Sequence, residues 1–116
     1  MPKNIRRGDI YYYDFGPGNG SVQGGLRPAL VIQGDTPNIN SPTTVIATVT
    51  THVGKRQPTH IILGSECGLK KMSVVQLEQV RTVNKSDLLD YVGSVTDPAK
   101  LSALRKAQIE LYDLRK

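Results

Sequence analysis

Short stretches in which apolar and β-branched residues alternate with polar ones recur along the chain, each bounded by Gly, Pro, Asn or Asp. That is the pattern of half-buried strands joined by turns. It predicts strands over 8–15 (Gly8 to Phe15), 27–33 (Arg27 to Gln33), 43–51 (Thr43 to Thr51), 59–63 (Thr59 to Leu63), 73–83 (Ser73 to Val83, long enough to bend) and 91–95 (Tyr91 to Val95). The chain holds 11 Val, 8 Ile and 9 Thr among 116 residues, so the β-favouring types dominate it. Strands this short and numerous predict a mainly β fold, either a small barrel or a strongly curved sheet. One domain over 1–116 is expected, because a second core would need roughly another 100 residues.

Two segments break the alternation. Ser86-Asp87-Leu88-Leu89-Asp90 reads as a single helical turn with Ser86 as its cap. Residues 97–115 read as a terminal helix, with Thr96 or Asp97 as cap and Pro98 in the first turn, where its missing N–H costs nothing. Leu101, Leu104, Ala107, Leu111 and Leu114 recur there at three- and four-residue spacing and form one apolar stripe, which is expected to close the open side of the barrel.

Alternation within a strand also assigns faces. Val45, Ala47 and Val49 share one face, expected to be core; Thr44, Ile46, Thr48 and Thr50 share the other, expected to be largely hydroxylated. In the long fifth strand, Gln79 and Arg81 are expected on the face of Val75 and Leu77.

Between the first two strands, residues 16–26 hold five glycines in eleven positions. A connection that long is usually functional or mobile. No Gly-Lys-Ser/Thr follows it and it leads into a strand, so neither a P-loop nor a dinucleotide fingerprint fits. Arg27 begins the strand directly after it, held by a rigid element beside an adaptable one, either as a functional cation, as a solvated charge or as a partner for Asp35. Lys55 and Arg56 lie in a second loop, Lys70 and Lys71 in a third. Three such features on one small barrel make a nucleic-acid groove plausible.

Composition narrows the remaining chemistry. Lys and Arg number 15 against 10 Asp and Glu, a net charge of +5 that is compatible with a polyanionic partner. Residues 1–58 carry six basic and three acidic groups and residues 59–116 nine and seven, so any basic patch is assembled by folding. No run approaches the roughly 20 apolar residues of a membrane span, and no apolar stretch of signal-peptide length follows Arg6-Arg7, so no membrane partner and a cytoplasmic location are expected. Cys67, alone, cannot form an internal disulfide, and with His52 and His60 it offers too few ligands for a closed zinc site. Asp9, Asp14, Asp35, Glu66 and Glu78 show no spacing that suggests a two-metal nuclease centre. His52 and His60 flank one loop and could in principle run acid–base chemistry, or else be structural.

Five blocks in order carry a resemblance: Arg7-Gly8-Asp9-Ile10-Tyr11; Gly20-Ser21-Val22-Gln23-Gly24-Gly25-Leu26-Arg27-Pro28-Ala29-Leu30-Val31-Ile32-Gln33; Ser41-Pro42-Thr43 through Thr48-Val49-Thr50; Pro58-Thr59-His60; and Leu77-Glu78-Gln79-Val80-Arg81-Thr82. From about residue 5 to 95 the chain resembles the MazF/PemK family of toxin endoribonucleases. The resemblance implies an SH3-like barrel of the CcdB/PemK type with a short helix and a C-terminal helix. It further implies a homodimer and a type II toxin–antitoxin system with a MazE-like antitoxin, the complex binding DNA. The implied activity is metal- and cofactor-independent cleavage of single-stranded RNA, usually mRNA, at a short sequence, leaving a 2′,3′-cyclic phosphate (or 3′-phosphate) and a 5′-hydroxyl.

Carried over residue by residue, the catalytic pair is Arg27 and Thr50. Arg27 would supply a planar, permanently charged fork to a pentacoordinate phosphorane, and Thr50 a hydrogen bond to the same phosphate. A guanidinium holds its proton too strongly to act as a base, so Arg27 suits charge stabilisation and proton donation better than proton removal. Many members carry Glu where this chain has Val22, so a carboxylate base at that point is absent. RNA binding would be spread over Ser21, Gln23, Lys55, Arg56, Ser73, Gln79 and Arg81. With no Trp, and with Tyr11, Tyr12, Tyr13 and Phe15 expected in the barrel wall, base recognition would lean on polar groups. The CcdB gyrase inhibitors share this barrel, so a non-catalytic gyrase poison and a passive RNA-binding barrel are the competing functions; only the cleavage reading requires Arg27 with Thr50.

Overall fold

Short runs rich in β-branched and apolar residues, bounded by turn formers, set the strands, and the computed structural model, which describes residues 4–18, 24–51 and 60–112, shows them as β1 (Asp9–Asp14), β2 (Leu26–Val31), β3 (Thr43–Thr50), β4 (His60–Leu63), β5 (Ser73–Asn84) and β6 (Tyr91–Ser94). The helices are α1 (Asp35–Asn40) and α2 (Pro98–Tyr112). The strands form one antiparallel sheet in the order β4-β5-β3-β2-β1-β6. The mainly β, strongly curved sheet expected from the sequence is thus present, each strand within about two residues of its expected ends.

Curvature brings the two edges together without a shared ladder. The short 3-10 turn Ser65–Cys67 after β4 packs on β6, and its Cys67 carbonyl lies flush against Gly93. A Cβ at Gly93 would overlap that carbonyl, so the seam closes only because residue 93 has no side chain.

α2 covers one face of the sheet. Asp97 caps it, its Oδ1 accepting from the Ala99 amide at 2.9 Å, as the sequence suggested. Leu104 and Ala107 are buried against Leu63, Val75 and Leu77, with Leu101 and Ala103 packed beside them. The stripe is shorter than expected: Leu111 is exposed, and Leu114 lies outside the described residues. Three polar tethers fix the helix. Lys100 Nζ donates to the Ile62 carbonyl at 2.6 Å, Tyr112 Oη to the Leu77 carbonyl at 2.8 Å, and an Arg7 guanidinium nitrogen to Gln108 Oε1 at 2.7 Å.

The opposite face corrects the sequence reading. Thr44, Ile46, Thr48 and Thr50 are all buried, and Ile46 belongs to a second core with Tyr11, Phe15, Ala29, Val83 and Leu88. Leu88, expected in a helical turn, anchors this core; the turn itself is a 3-10 turn over Lys85–Asp87 with no side-chain cap, so Ser86 does not cap it.

β5 departs further. Ala47 faces Val80, yet the next residue, Thr48, faces Gln76, so Leu77, Glu78 and Gln79 bulge out of the ladder. An odd number of inserted residues reverses the alternation. Arg81 therefore sits opposite Ile46, on the face away from Val75 and Leu77, contrary to the simple period-two expectation.

α1 was not predicted, since Asp-Thr-Pro-Asn-Ile-Asn has no apolar period. A polar plug holds it. Asn38 is 1% exposed; its Nδ2 donates to the Gln33 carbonyl (2.9 Å), and its Oδ1 accepts from Gln33 Nε2 (3.0 Å) and Thr44 Oγ1 (2.6 Å). Replacing Asn38 by Leu strands those partners in a dry site and is expected to cost about 2–4 kcal/mol, read as a lower urea midpoint at unchanged m-value. An unchanged midpoint would show that the plug does not hold α1.

Burial pushes the Cys67 thiol above its ordinary value, with Glu66 adding to the shift, and burial likewise raises the Tyr11 and Tyr112 phenols. Groups raised in the folded state stabilise it fully below their unfolded values and lose that contribution as pH climbs through the folded ones. The thermal midpoint should therefore fall as pH passes about 9, and Cys67 should resist thiol reagents at pH 8 until the chain unfolds. Native-state labelling at the rate of a free thiol would contradict this.

Candidate functional site

Arg27 is placed by the turn that ends the Gly-rich loop. Gly25 has a φ of +83°, a left-handed conformation open to glycine, and it turns the chain into β2. Its amide donates to the Gly16 carbonyl (2.6 Å) and its carbonyl accepts from the Phe15 amide (3.0 Å), pinning the base of the loop. The neighbouring Gly24 carbonyl then accepts from Arg27 Nε at 2.6 Å. From the far side, Arg27 Nη1 donates to Thr50 Oγ1 at 3.2 Å. Thr50 is buried at the end of β3, the strand paired with β2.

The fork is thus aimed but not neutralised. Two of the five Arg27 N–H groups are engaged, and among the described residues no carboxylate pairs with it. Asp35, the bland partner considered for it, instead accepts from the Arg7 amide at 2.7 Å. A half-buried guanidinium held between two strands, with no counter-ion among the described residues, is a receptor for an anion with two oxygens in a plane.

Tyr13 faces Arg27 across the β1–β2 ladder. Tyr13 and Phe15 pack edge to face at 4.9 Å, and the Arg81 guanidinium lies 5.9 Å and 5.4 Å from their ring centres. A second cation is thereby stacked on the same face of the sheet as Arg27. The reversal at the β5 bulge puts it there. Gln79 sits in that bulge, and its carbonyl accepts from Thr48 Oγ1 at 3.4 Å.

The structure therefore joins Arg27 to Thr50 and sets Arg81 on the same face, with the Gln79 backbone in the bulge beside Thr48. Ser73 is elsewhere. It opposes Leu63, and its hydroxyl donates to the Lys71 carbonyl (2.9 Å). With Tyr12, Pro28, Thr51, Lys70 and Lys71 it lines a cleft of about 540 Å³. Ser21, Gln23, Lys55 and Arg56, together with Val22 and His52, lie outside the described residues. Sequence reasoning passed over Thr48, Gln76 and the Tyr13–Phe15 platform. The Thr-x-Thr alternation ending β3 was a usable signal for Thr48, whereas the bulge hid Gln76.

His60 Nε2 and Glu78 Oε2 are 2.9 Å apart, with the histidine buried. No group of three His, Cys, Asp or Glu side chains among the described residues is arranged to hold a metal ion, and no helix among them is long and apolar enough to cross a membrane.

Residues 6–111 match the model of the family described as PemK-like, MazF-like toxins of type II toxin–antitoxin systems. The chain belongs to this family. It is 42% identical over 95 residues to the endoribonuclease EndoA of Bacillus subtilis strain 168, covering 80% of this chain and 82% of that protein. It is 44% identical over 95 residues to the endoribonuclease MazF of Staphylococcus saprophyticus, covering 80% and 79%. Its fold superposes with a TM-score of 0.79, at 26% identity and over 97% and 98% of the two chains, on a mycobacterial endoribonuclease solved in complex with its cognate antitoxin. The family membership read from the five sequence blocks and the PemK/MazF toxin fold are both borne out.

Proposed function

We propose that this PemK/MazF-family protein is a sequence-specific endoribonuclease toxin that cuts single-stranded RNA without a metal ion, with Arg27 and Thr50 at the cleaved phosphate. The observation that carries the reading is the un-neutralised Arg27 fork, held between the Gly24 carbonyl and the Thr50 hydroxyl. Relatives more than 40% identical, named as endoribonucleases, support it.

In the step proposed, the ribose 2′-oxygen attacks the adjacent phosphorus, the 2′-O–P bond forms and the P–O5′ bond breaks. The 2′-proton passes to water and the 5′-oxygen gains one from Arg27, giving a 2′,3′-cyclic phosphate and a 5′-hydroxyl. Negative charge grows on the two non-bridging oxygens, where a preorganised guanidinium acts without reorganising at the moment of reaction. Arg27 is suited to stabilise the phosphorane as a cation and, as the P–O5′ bond breaks, to give a proton to the leaving oxygen, regaining one from solvent after the step. Thr50 fixes the fork and, through its hydroxyl, the phosphate. Arg81, on the same face, and Gln79, in the adjoining bulge, would bind the flanking nucleotides. Ser73, with Lys70 and Lys71 in the other cleft, would hold more distant phosphates. Ser21, Gln23, Lys55 and Arg56 would contribute from the two adjoining loops.

The partners follow the same reading: a MazE-like antitoxin, supported by the antitoxin-bound mycobacterial relative, and a second copy of this chain. A substrate RNA carrying a single 2′-deoxynucleotide tests the chemistry. Placed just 5′ of the scissile phosphate it should abolish cutting, and one nucleotide away it should not. Cleavage of the blocked RNA at the same bond would rule out attack by the 2′-oxygen.

A further inference from the structure

Among the described residues one buried side-chain polar atom has no hydrogen-bond partner, Oε1 of Gln76. β5 sets Gln76 opposite Thr48 on one side and His60 on the other. Antiparallel partners share a face, and Thr48 shares its face with Thr50 two residues on, so Gln76 lies on the Arg27–Thr50 face, one row along. The rest of that row is either apolar or engaged. Ala29, opposite Thr48, has only a methyl group. The Thr48 hydroxyl is bonded to the Gln79 carbonyl and His60 Nε2 to Glu78.

A buried carbonyl oxygen that has given up water and gained nothing burdens the free protein. Its position beside the phosphate receptor suggests what completes it. We propose, building on the RNA-cleavage reading above, that Gln76 determines sequence specificity by accepting a hydrogen bond from the exocyclic amino group of adenine or cytosine in the nucleotide next to the cleaved phosphate. Uracil and guanine carry a carbonyl oxygen at the equivalent ring position, and two acceptors facing each other repel, so at that position the site selects the amino group of adenine or cytosine over a carbonyl. The bulge over residues 77–79 leaves Gln76 as the last residue of β5 paired with β3 before the strand departs, in the row next to that of Arg27 and Thr50.

The test compares the full-length protein with Gln76→Leu and Gln76→Met on a long single-stranded RNA, mapping every cut and tabulating base frequency by position. The wild type should favour adenine or cytosine at one position beside the cut, and both variants should lose that preference about tenfold or more there and nowhere else. Their thermal midpoints should rise by a few degrees, since an unsatisfied buried acceptor is replaced by an apolar group of similar volume. Variants that cut with an unchanged base profile, or whose midpoints fall, would overturn the role of Gln76 while leaving the cleavage reading intact. A wild type that cuts no RNA would overturn both.

Discussion

Replacing Arg27 by Ala should lower the rate of RNA cleavage at least about a thousandfold while leaving the fold as stable as before or slightly more so. The first half follows from the charge that grows on the phosphorane: removing one preorganised donor at such a centre costs about a hundred- to a thousandfold, and a guanidinium presented to a phosphoryl group is worth more. The second follows because no carboxylate among the described residues pairs with Arg27. The fork carries a desolvation cost that its two hydrogen bonds, to the Gly24 carbonyl and Thr50 Oγ1, only partly return. Arg27→Lys keeps the charge but not the planar geometry and should fall between the two, closer to Ala. Rates of cleavage of a defined oligonucleotide, read beside thermal melts, separate these outcomes. A strongly destabilised Arg27→Ala protein would recast Arg27 as structural, and a fully active one would remove it from the site.

The largest expected effect on folding lies at the seam of the curled sheet. Gly93→Ala puts a methyl group into the Cys67 carbonyl, and neither β6 nor the 65–67 turn can retreat without parting the two edges. Overpacking against backbone should cost about 3 kcal/mol, a fall of roughly 10 °C in the thermal midpoint for a chain of this size. Ser94→Ala, one residue on, removes hydrogen bonds with Asp9 and Tyr91 that lie at the surface, and should cost under about 1 kcal/mol. Equal melts for the two variants would show that contact with Cys67 does not hold the edges together.

The strands were legible because runs of Val, Ile and Thr bounded by Gly, Pro, Asn and Asp mark short strands whatever their neighbours. Three features were not. α1 contains no apolar repeat and carries Pro37; it exists because Asn38 is caught by Gln33 and Thr44, a tertiary network with no local trace. The bulge in β5 is silent in the residue pattern, since an inserted odd number looks like continued alternation, and it moved Arg81 to the opposite face from the one predicted. The second core beneath Thr48 and Thr50 was hidden by their hydroxyls, which read as a solvated face.

The site was legible in part for the same reason. The residues alone marked Arg27 as a cation at a rigid strand start beside a Gly-rich loop. Its pairing with Thr50 came from the family resemblance, because alternation along β2 and β3 does not fix the register between them. The distance between the two side chains is a property of that register, and so is the separation of Ser73 from both.

The most direct measurement is incubation of the purified protein with a long single-stranded RNA in excess EDTA, with the new ends mapped and their termini identified. Discrete cuts at a short recurring sequence, each leaving a 5′-hydroxyl and a 2′,3′-cyclic phosphate and each absent with Arg27→Ala, are the expected result. Cutting that needs an added divalent cation, or that leaves 5′-phosphates, would contradict the assignment of Arg27 and Thr50 as the groups that carry the reaction.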